Sequence, residues 1–376
     1  MSTTENAPGA EVNDRISPVD DSAGNTGTAL STTVDQTANV PVEPESAVLK
    51  AAQRARLRRR LLSSSPLLMF GVLILMFLVF SLAHPATFPS VGNIRNILLD
   101  TSILMVMAVG FTFVMIAAGF DLSQGSVLVF AQIIGAKVML ATGGQGGWAI
   151  VLGVLVAILA GVVWGIFNGL VITKLRVPPL ITTLGSLGAA LGVGFLITNG
   201  EDIRDVPNAA IAITRNRFLG MPWLVWVALI VVILGALLLH LTRFGRHTFI
   251  IGSNAEAARR AGINVDRHLI KLYVIASALA GFAGMMSLVR YTATTVGGHG
   301  TDSLAVVTGV ALGGVSLFGG IGLMIGTVIG MFIPTVLNYG LVSMSVSAFW
   351  QQVAIGLILI FAVYLDQLKR KRRNQV

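Results

Sequence analysis

The chain has 376 residues, of which 54% are hydrophobic and only 11% charged, with a mean hydropathy of +0.81. A soluble domain carries roughly a quarter charged residues, so this much apolar surface must face a bilayer rather than water. Cysteine is absent, which excludes disulfides, thiolate metal sites and cysteine nucleophiles, and the net charge of +9 comes from residues 51–376, where twenty-four bases face nine acids, a topology signal rather than a nucleic-acid patch.

Residues 1–48 are rich in Thr, Ser, Asn, Asp, Glu, Gly and Pro with no apolar run, and read as a disordered cytoplasmic tail. No basic stretch with an apolar core stands near residue 1, so the first apolar run is expected to remain as an anchor. A basic juxtamembrane segment, 49–65, holds Arg54, Arg56, Arg58, Arg59 and Arg60. Ten apolar runs follow: 66–83, 101–118, 125–141, 148–172, 180–198, 223–241, 269–289, 304–318, 321–338 and 349–365. They predict an all-α polytopic helical bundle of about ten transmembrane helices over 66–366, closed by a basic tail, 367–376, with Lys369 through Arg373.

With both termini cytoplasmic the number of crossings is even, and threading ten crossings leaves eighteen bases on inner flanks against five outside: Arg95, Arg204, Arg215, Arg217 and Arg290. The rival count is eight, because 304–318 and 321–338 are short, separated only by Gly319-Gly320, and could form one re-entrant pair. Gly161, Gly165 and Gly169 make a small-xxx-small ladder suited to close helix packing. A faint internal likeness aligns Gly119-Phe120-Asp121-Leu122 and Gly125 with Gly314-Val315-Ser316-Leu317 and Gly320 at an offset of 195, as in a transporter built of two halves.

The inner loop from about 242 to 268 is longer than a simple connection requires. Ser253-Asn254-Ala255-Glu256 reads as a capping box with Ser253 as N-cap, Gly262 suits the left-handed residue after the helix, and Arg259 and Arg260 fall where the helix dipole favours cations. The expected result is a two-turn helix whose Ala255, Ala257, Ala258 and Ala261 give a slim waist able to enter a groove on a partner. A helix lying on lipid headgroups would show bulkier anchors than alanine.

These blocks resemble the sugar-type permease subunits of bacterial ATP-binding-cassette importers, including those for ribose, xylose, arabinose and galactose. The resemblance covers about 95–366. It rests on Gly119-Phe120-Asp121-Leu122-Ser123, on Asn168-Gly169 with Val177-Pro178-Pro179 and Thr182-Thr183-Leu184-Gly185, and on Gly252-Ser253-Asn254 with Ala257-Ala258-Arg259 and Gly262-Ile263. Two further blocks are Leu312-Gly313-Gly314-Val315-Ser316-Leu317 with Gly319-Gly320 and Gly326-Thr327, and Phe349-Trp350-Gln351-Gln352. The resemblance implies a two-copy permease in the bacterial cytoplasmic membrane and an extracytoplasmic binding protein that delivers a monosaccharide. It also implies a cytoplasmic ATPase that grips the loop helix at Asn254, Glu256, Ala257, Ala258, Arg259, Arg260 and Gly262. Where the family carries an acid in a Glu-Leu context before the Gly-Gly block, this chain has Thr301-Asp302-Ser303-Leu304.

Asp121 stands three residues before Gln124, the arrangement of a capping box, although an acid beside a span also marks function. Lys137 is expected to snorkel to the outer surface. A path for an uncharged polyol wants hydroxyls and amides; besides Asp121 and Ser123 the candidates are Asn168, Thr182, Thr183, Asn338, Gln351 and Gln352, each equally suited to interhelical hydrogen bonding. The outer loop 199–222, with Glu201, Asp202, Arg204, Asp205, Arg215 and Arg217, either docks a binding protein or is a solvated loop. No metal site is expected, and an ion-coupled carrier would want intramembrane acids where this chain has only Asp100, Asp121 and Asp302 at span edges. No G-x-S-x-G, H-E-x-x-H or phosphate-binding G-x-x-x-x-G-K followed by Ser or Thr occurs, so no enzyme chemistry is expected and any ATP must be bound by partner subunits.

Overall fold

The computed structural model describes residues 65–143, 147–204, 206–207, 210 and 217–374. The tail 1–48, the basic cluster at 54–60, Asp205 and Arg215 lie outside the described residues, as do the side chains of Lys369 through Arg373. Twelve helices make up almost all of the described structure: α1 (Ser65–Ala83), α2 (Val91–Ile116), α3 (Gln124–Ala141), α4 (Gly147–Thr173), α5 (Pro179–Thr198), α6 (Trp223–Leu241), α7 (Arg243–Ser253), α8 (Ala255–Arg260), α9 (Val265–Tyr291), α10 (Asp302–Leu312), α11 (Met324–Ser343) and α12 (Ala348–Asn374). A two-stranded antiparallel hairpin, β1 (Arg217–Phe218) and β2 (Met221–Pro222), precedes α6.

The helix ends follow from local chemistry. The Ser90 side chain caps α2 by accepting from the Asn93 N–H, and Asn264 caps α9 by accepting from the Arg267 N–H. Helix α5 starts at Pro179, whose fixed φ suits a first turn, and ends at Asn199 in the left-handed region. Eight of the described helices are long and apolar enough to cross a membrane, by length and composition: α1 to α6, α9 and α11. The chain is thus an all-α polytopic membrane protein.

All ten apolar runs carry a helix, five of them within a residue of the expected bounds, but 304–318 does not reach its expected length. Helix α10 stops at Leu312 after 11 residues, about 16 Å of rise, too short for a hydrocarbon core of about 30 Å. Its partner α11 begins only at Met324 and runs on to Ser343. The two pack as a hairpin, Gly313 against Gly326 and Gly309 against Gly330. Non-helical backbone at 313–323 joins the two, and 117–123 is a similar break between α2 and α3. The two stretches aligned by the offset of 195 fall at helix breaks, although Gly125 already belongs to α3, and the breaks touch: Gly319 lies against Ala118, and the Gly320 N–H donates to the Ile116 carbonyl at the end of α2.

Helices α2 and α9 form the centre. In α2 83% of the most apolar window is buried, against 11% in α1, so α2 is wrapped by protein while α1 turns Leu67, Leu75 and Leu82 outward. Helices α4, α5 and α6 likewise expose Leu159, Val163, Leu196 and Leu234, as a lipid-facing surface would. The glycine ladder of α4 lies on α9: a Cβ at Gly165 would stand 2.6 Å from the Tyr273 carbonyl oxygen, and one at Gly169 2.9 Å from Ile270 Cα. Close backbone approach, the purpose read from the spacing, is what these glycines permit.

Candidate functional site

The loop 242–268 folds as an elbow. Its first arm, α7, is helical where the sequence predicts loop, and it is amphipathic: Gly245, Thr248 and Ile251 face inward while Arg246 is exposed. Thr242 caps it by accepting from the Gly245 N–H, and Thr248 hydrogen-bonds with His268 of α9 at 2.8 Å. Helix α8 then projects from its end. The capping residue of α8 is Asn254, not Ser253: the Asn254 side-chain oxygen accepts from the N–H groups of Glu256 at 3.0 Å and Ala257 at 2.9 Å, whereas the Ser253 hydroxyl donates back to the Phe249 carbonyl. Ser253 is still inside α7, so its hydroxyl is spent on the turn behind it. Glu256 does not close a capping box but pairs with Arg260 one turn on.

Six residues give α8 about 9 Å of length. Ala258 is fully buried against Ile251 and Val265, and Ala255 is half-buried, so two of the four alanines anchor the helix rather than thin its outer face. Glu256, Ala257, Arg259, Arg260 and Ala261 are exposed. Gly262 has φ +82°, the left-handed conformation the sequence predicts, and its N–H donates to the Arg259 carbonyl. Arg259 reaches Asp266 at 3.3 Å across the turn. The outcome is a short, charged knob on a rigid stalk.

The stalk is tied to the centre of the bundle. Gly252, next to last in α7, lies so close to Ile116 that a Cβ there would overlap its carbonyl, the oxygen that also accepts from Gly320. Two segments thus converge on the last residue of α2, and Thr112, one turn earlier, hydrogen-bonds with Thr327 of α11 at 2.8 Å.

A second group joins the 117–123 break to α4 and α5. Asp121 Oδ1 accepts from the Ser123 N–H at 3.0 Å and its hydroxyl at 2.6 Å; Asn168 Nδ2 donates to Ser123 Oγ at 2.9 Å; Ser186 Oγ donates to Asn168 Oδ1. All four are buried. The expected capping box at Asp121 is absent, since Asp121 bonds Ser123, two residues on, and never reaches the Gln124 backbone. Thr183 spends its hydroxyl on the Pro179 carbonyl within α5, while the Thr182 hydroxyl, Asp121 Oδ2 and the Gln124 amide are buried without a described partner. Asp121, Ser123 and Asn168 are thus brought together as an interhelical joint, with Ser186 as the member the sequence did not mark: nothing local distinguishes it from its neighbours.

A third group surrounds a cavity of about 320 Å³ at the end of α9 opposite α8, lined by residues of α2, α9, α10, α11 and α12 and of the segment 292–301. Asp100 of α2 accepts from Arg290 Nε of α9 at 3.0 Å and from the Tyr339 hydroxyl of α11, and Arg290 also donates to Asn96 at 3.1 Å. Across the cavity His299 pairs its Nδ1 with Asp302 Oδ2 at 2.6 Å, and its Nε2 hydrogen-bonds with Ser287 and Thr295. Of the path candidates only Asn338 lines this cavity. Gln351 donates to the Val346 carbonyl and Gln352 is exposed, and neither lies among the cavity residues. A lone acid and a lone base at the same end of two long runs are the signal that could have paired Asp100 with Arg290.

The family described as branched-chain amino acid transport system / permease component matches residues 93–363. The chain belongs to this permease family. Among its relatives, the galactose/methyl galactoside import permease protein MglC of Escherichia coli is 32% identical over 317 residues, covering 81% of this chain and 94% of the relative. The ribose import permease protein RbsC of Escherichia coli is 33% identical over 80% of this chain and 93% of its own length. The L-arabinose ABC transporter permease protein AraH of Azospirillum brasilense is 30% identical over 88% and 95%. No solved structure matches the chain significantly. The span matched to the permease family contains the α7–α8 elbow, the buried joint and the cavity residues together.

Proposed function

We propose that this permease subunit forms the membrane pathway of an ATP-driven importer for a neutral monosaccharide or related polyol in the bacterial cytoplasmic membrane. ATP is bound and hydrolysed by separate subunits seated on α8, an extracytoplasmic binding protein delivers the solute, and two permease copies work as a pair. The observation that carries this reading is the elbow: an exposed knob of Glu256, Ala257, Arg259 and Arg260 whose buried root, Ala258, fixes it to a stalk in contact with Ile116. A force on the knob reaches α2 without passing through a flexible loop. The relatives named for galactose, ribose and arabinose import support the solute class.

Helix α2 runs from the joint at Ile116 to the cavity at Asp100, about 24 Å away. Alternating access follows if closure of the ATPase pair tilts the elbow, and α2 with it, so that the cavity end and the joint end change exposure in opposite senses. An ion-coupled carrier would use an acid within the spans; of the three at span edges, Asp100 is held by Arg290 and Asp302 by His299, while Asp121 bonds Ser123 through Oδ1 and its Oδ2 has no described partner.

The test is Ala257→Arg, a change at an exposed position that leaves Ala258 in place. The variant inserts normally, and both ATPase association and sugar uptake fall roughly tenfold or more, about 1.4 kcal/mol of docking energy. Unaltered uptake overturns the proposal, as does solute accumulation by the chain alone in liposomes under a proton or sodium gradient.

A further inference from the structure

We infer that the cavity between Asp100 and Asp302 is a holding site for one neutral sugar ring within a single permease copy. This inference rests on the sugar-importer reading above and adds where the solute is held and by which groups. The cavity, at about 320 Å³, lies at the small end of the roughly 300–1,000 Å³ range of ligand sites, the scale of a monosaccharide.

Its chemistry selects against a negative charge. Arg290 neutralises Asp100, and His299 engages Asp302, so neither carboxylate stands without a partner among the described residues. Each carboxylate nonetheless keeps acceptor capacity, because a carboxylate offers about four lone-pair sites. Asp100 uses Oδ1 for Arg290 and Oδ2 for Tyr339, and Asp302 uses Oδ2 for His299. Hydroxyl donors of a polyol can fill what remains, while the Asn338 amide supplies both a donor and an acceptor and has no hydrogen-bond partner described within the chain. Tyr291 and Tyr339 offer ring surface to the C–H face of a sugar. An amino acid carboxylate is disfavoured here: it would face Asp100 and Asp302, and the Arg290 guanidinium is already paired with Asp100.

The backbone agrees with a ligand site. The segment 292–301 is non-helical and folds back into the bundle, fastened by Val296 N–H to Asp202, by Ile203 N–H to Thr294 Oγ1, and by His299 to Ser287, more than a turn inside the end of α9. In a membrane protein irregular backbone at such depth is tolerated where it lines a cavity.

The experiment uses the full chain in lipid nanodiscs and saturation-transfer NMR with D-ribose, D-galactose and L-leucine as probes. A signal from at least one sugar is expected. Asn338→Leu, which removes the amide at nearly unchanged shape, should weaken it roughly tenfold, about the weight of one lost hydrogen-bonding group. Asn338→Gln, which keeps the amide, should retain most of it, and so separates lost contact from lost fold. Ala257→Arg should leave the sugar signal intact while lowering ATPase association roughly tenfold or more. No sugar signal, a signal indifferent to Asn338→Leu, or an L-leucine signal that Asn338→Leu removes would overturn the site. If Ala257→Arg behaves as expected while Asn338→Leu has no effect, only the holding site falls; if Ala257→Arg keeps ATPase association and uptake, the importer reading falls by itself.

Discussion

Gly252 and Ile116 touch backbone to backbone: no side-chain atom fits between the last turn of α7 and the carbonyl that ends α2. The same oxygen accepts the Gly320 N–H at 2.8 Å. A methyl group at 252 must therefore push α7 away from α2 or displace the 313–323 turn. Gly252→Ala is expected to leave α8 folded and able to bind the ATPase, but to lower transport per ATP hydrolysed by roughly tenfold, on the scale of 1–3 kcal/mol for a coupling free energy. Parallel measurement of ATPase turnover and solute uptake in proteoliposomes checks this; equal loss of both would place the effect in assembly rather than transmission.

The Asp100–Arg290 pair joins residues 190 apart in sequence, and both side chains are about one-fifth exposed. Burial of that degree puts the pair between a surface ion pair and a fully desolvated one. Asp100→Asn is expected to cost roughly 1.5–3 kcal/mol, the range for a hydrogen bond to a charged group, and the double variant with Arg290→Met should cost less than the two single losses added together. Thermal unfolding in detergent of the two single variants and the double one gives the coupling directly.

Much of this fold is legible in composition and period. Ten apolar runs give ten helices, because a segment that must satisfy its backbone without water has few alternatives to a helix. The exceptions lie where backbone finds partners elsewhere. The run 304–318 breaks at Gly313 because the chain turns there to meet Ile116 and Asp366, and α7 reads as loop because Gly245 and Gly252, its contact points with Leu239 and Ile116, look like breakers in isolation. Asn254, Ala257 and Gly262 sit on the elbow as the motifs suggest, with the cap one residue later than the Ser–Glu pattern places it. The Asn168–Ser186 bond and the Asp100–Tyr339 bond depend on helix crossings that no local window encodes.

Asn254 holds the first turn of α8 through two backbone N–H groups. A helix of this length has little stability of its own, so the cap decides whether the knob is formed. Asn254→Ala should cost about 1 kcal/mol and show as faster hydrogen exchange confined to the amides of 255–261, with weaker ATPase association. Asn254→Asp keeps the acceptor and should preserve both.

The α4–α9 seam separates two kinds of glycine in the same protein. At Gly161 an added Cβ would collide with the Ser277 carbonyl on α9, a backbone atom that cannot rotate away, whereas at Gly188 on α5 it meets nothing within 4 Å. Gly161→Ala must therefore separate α4 from α9 along the most extensive helix contact in the bundle, at an expected cost of about 1–3 kcal/mol, as for other overpacked sites. Gly188→Ala replaces a residue that disfavours helix by one that favours it and should be neutral or stabilising by up to about 1 kcal/mol. Thermal unfolding of both variants in the same detergent compares them. A Gly161→Ala protein as stable as the parent would mean that the two helices do not approach as closely in the membrane as Gly161, Gly165 and Gly169 allow.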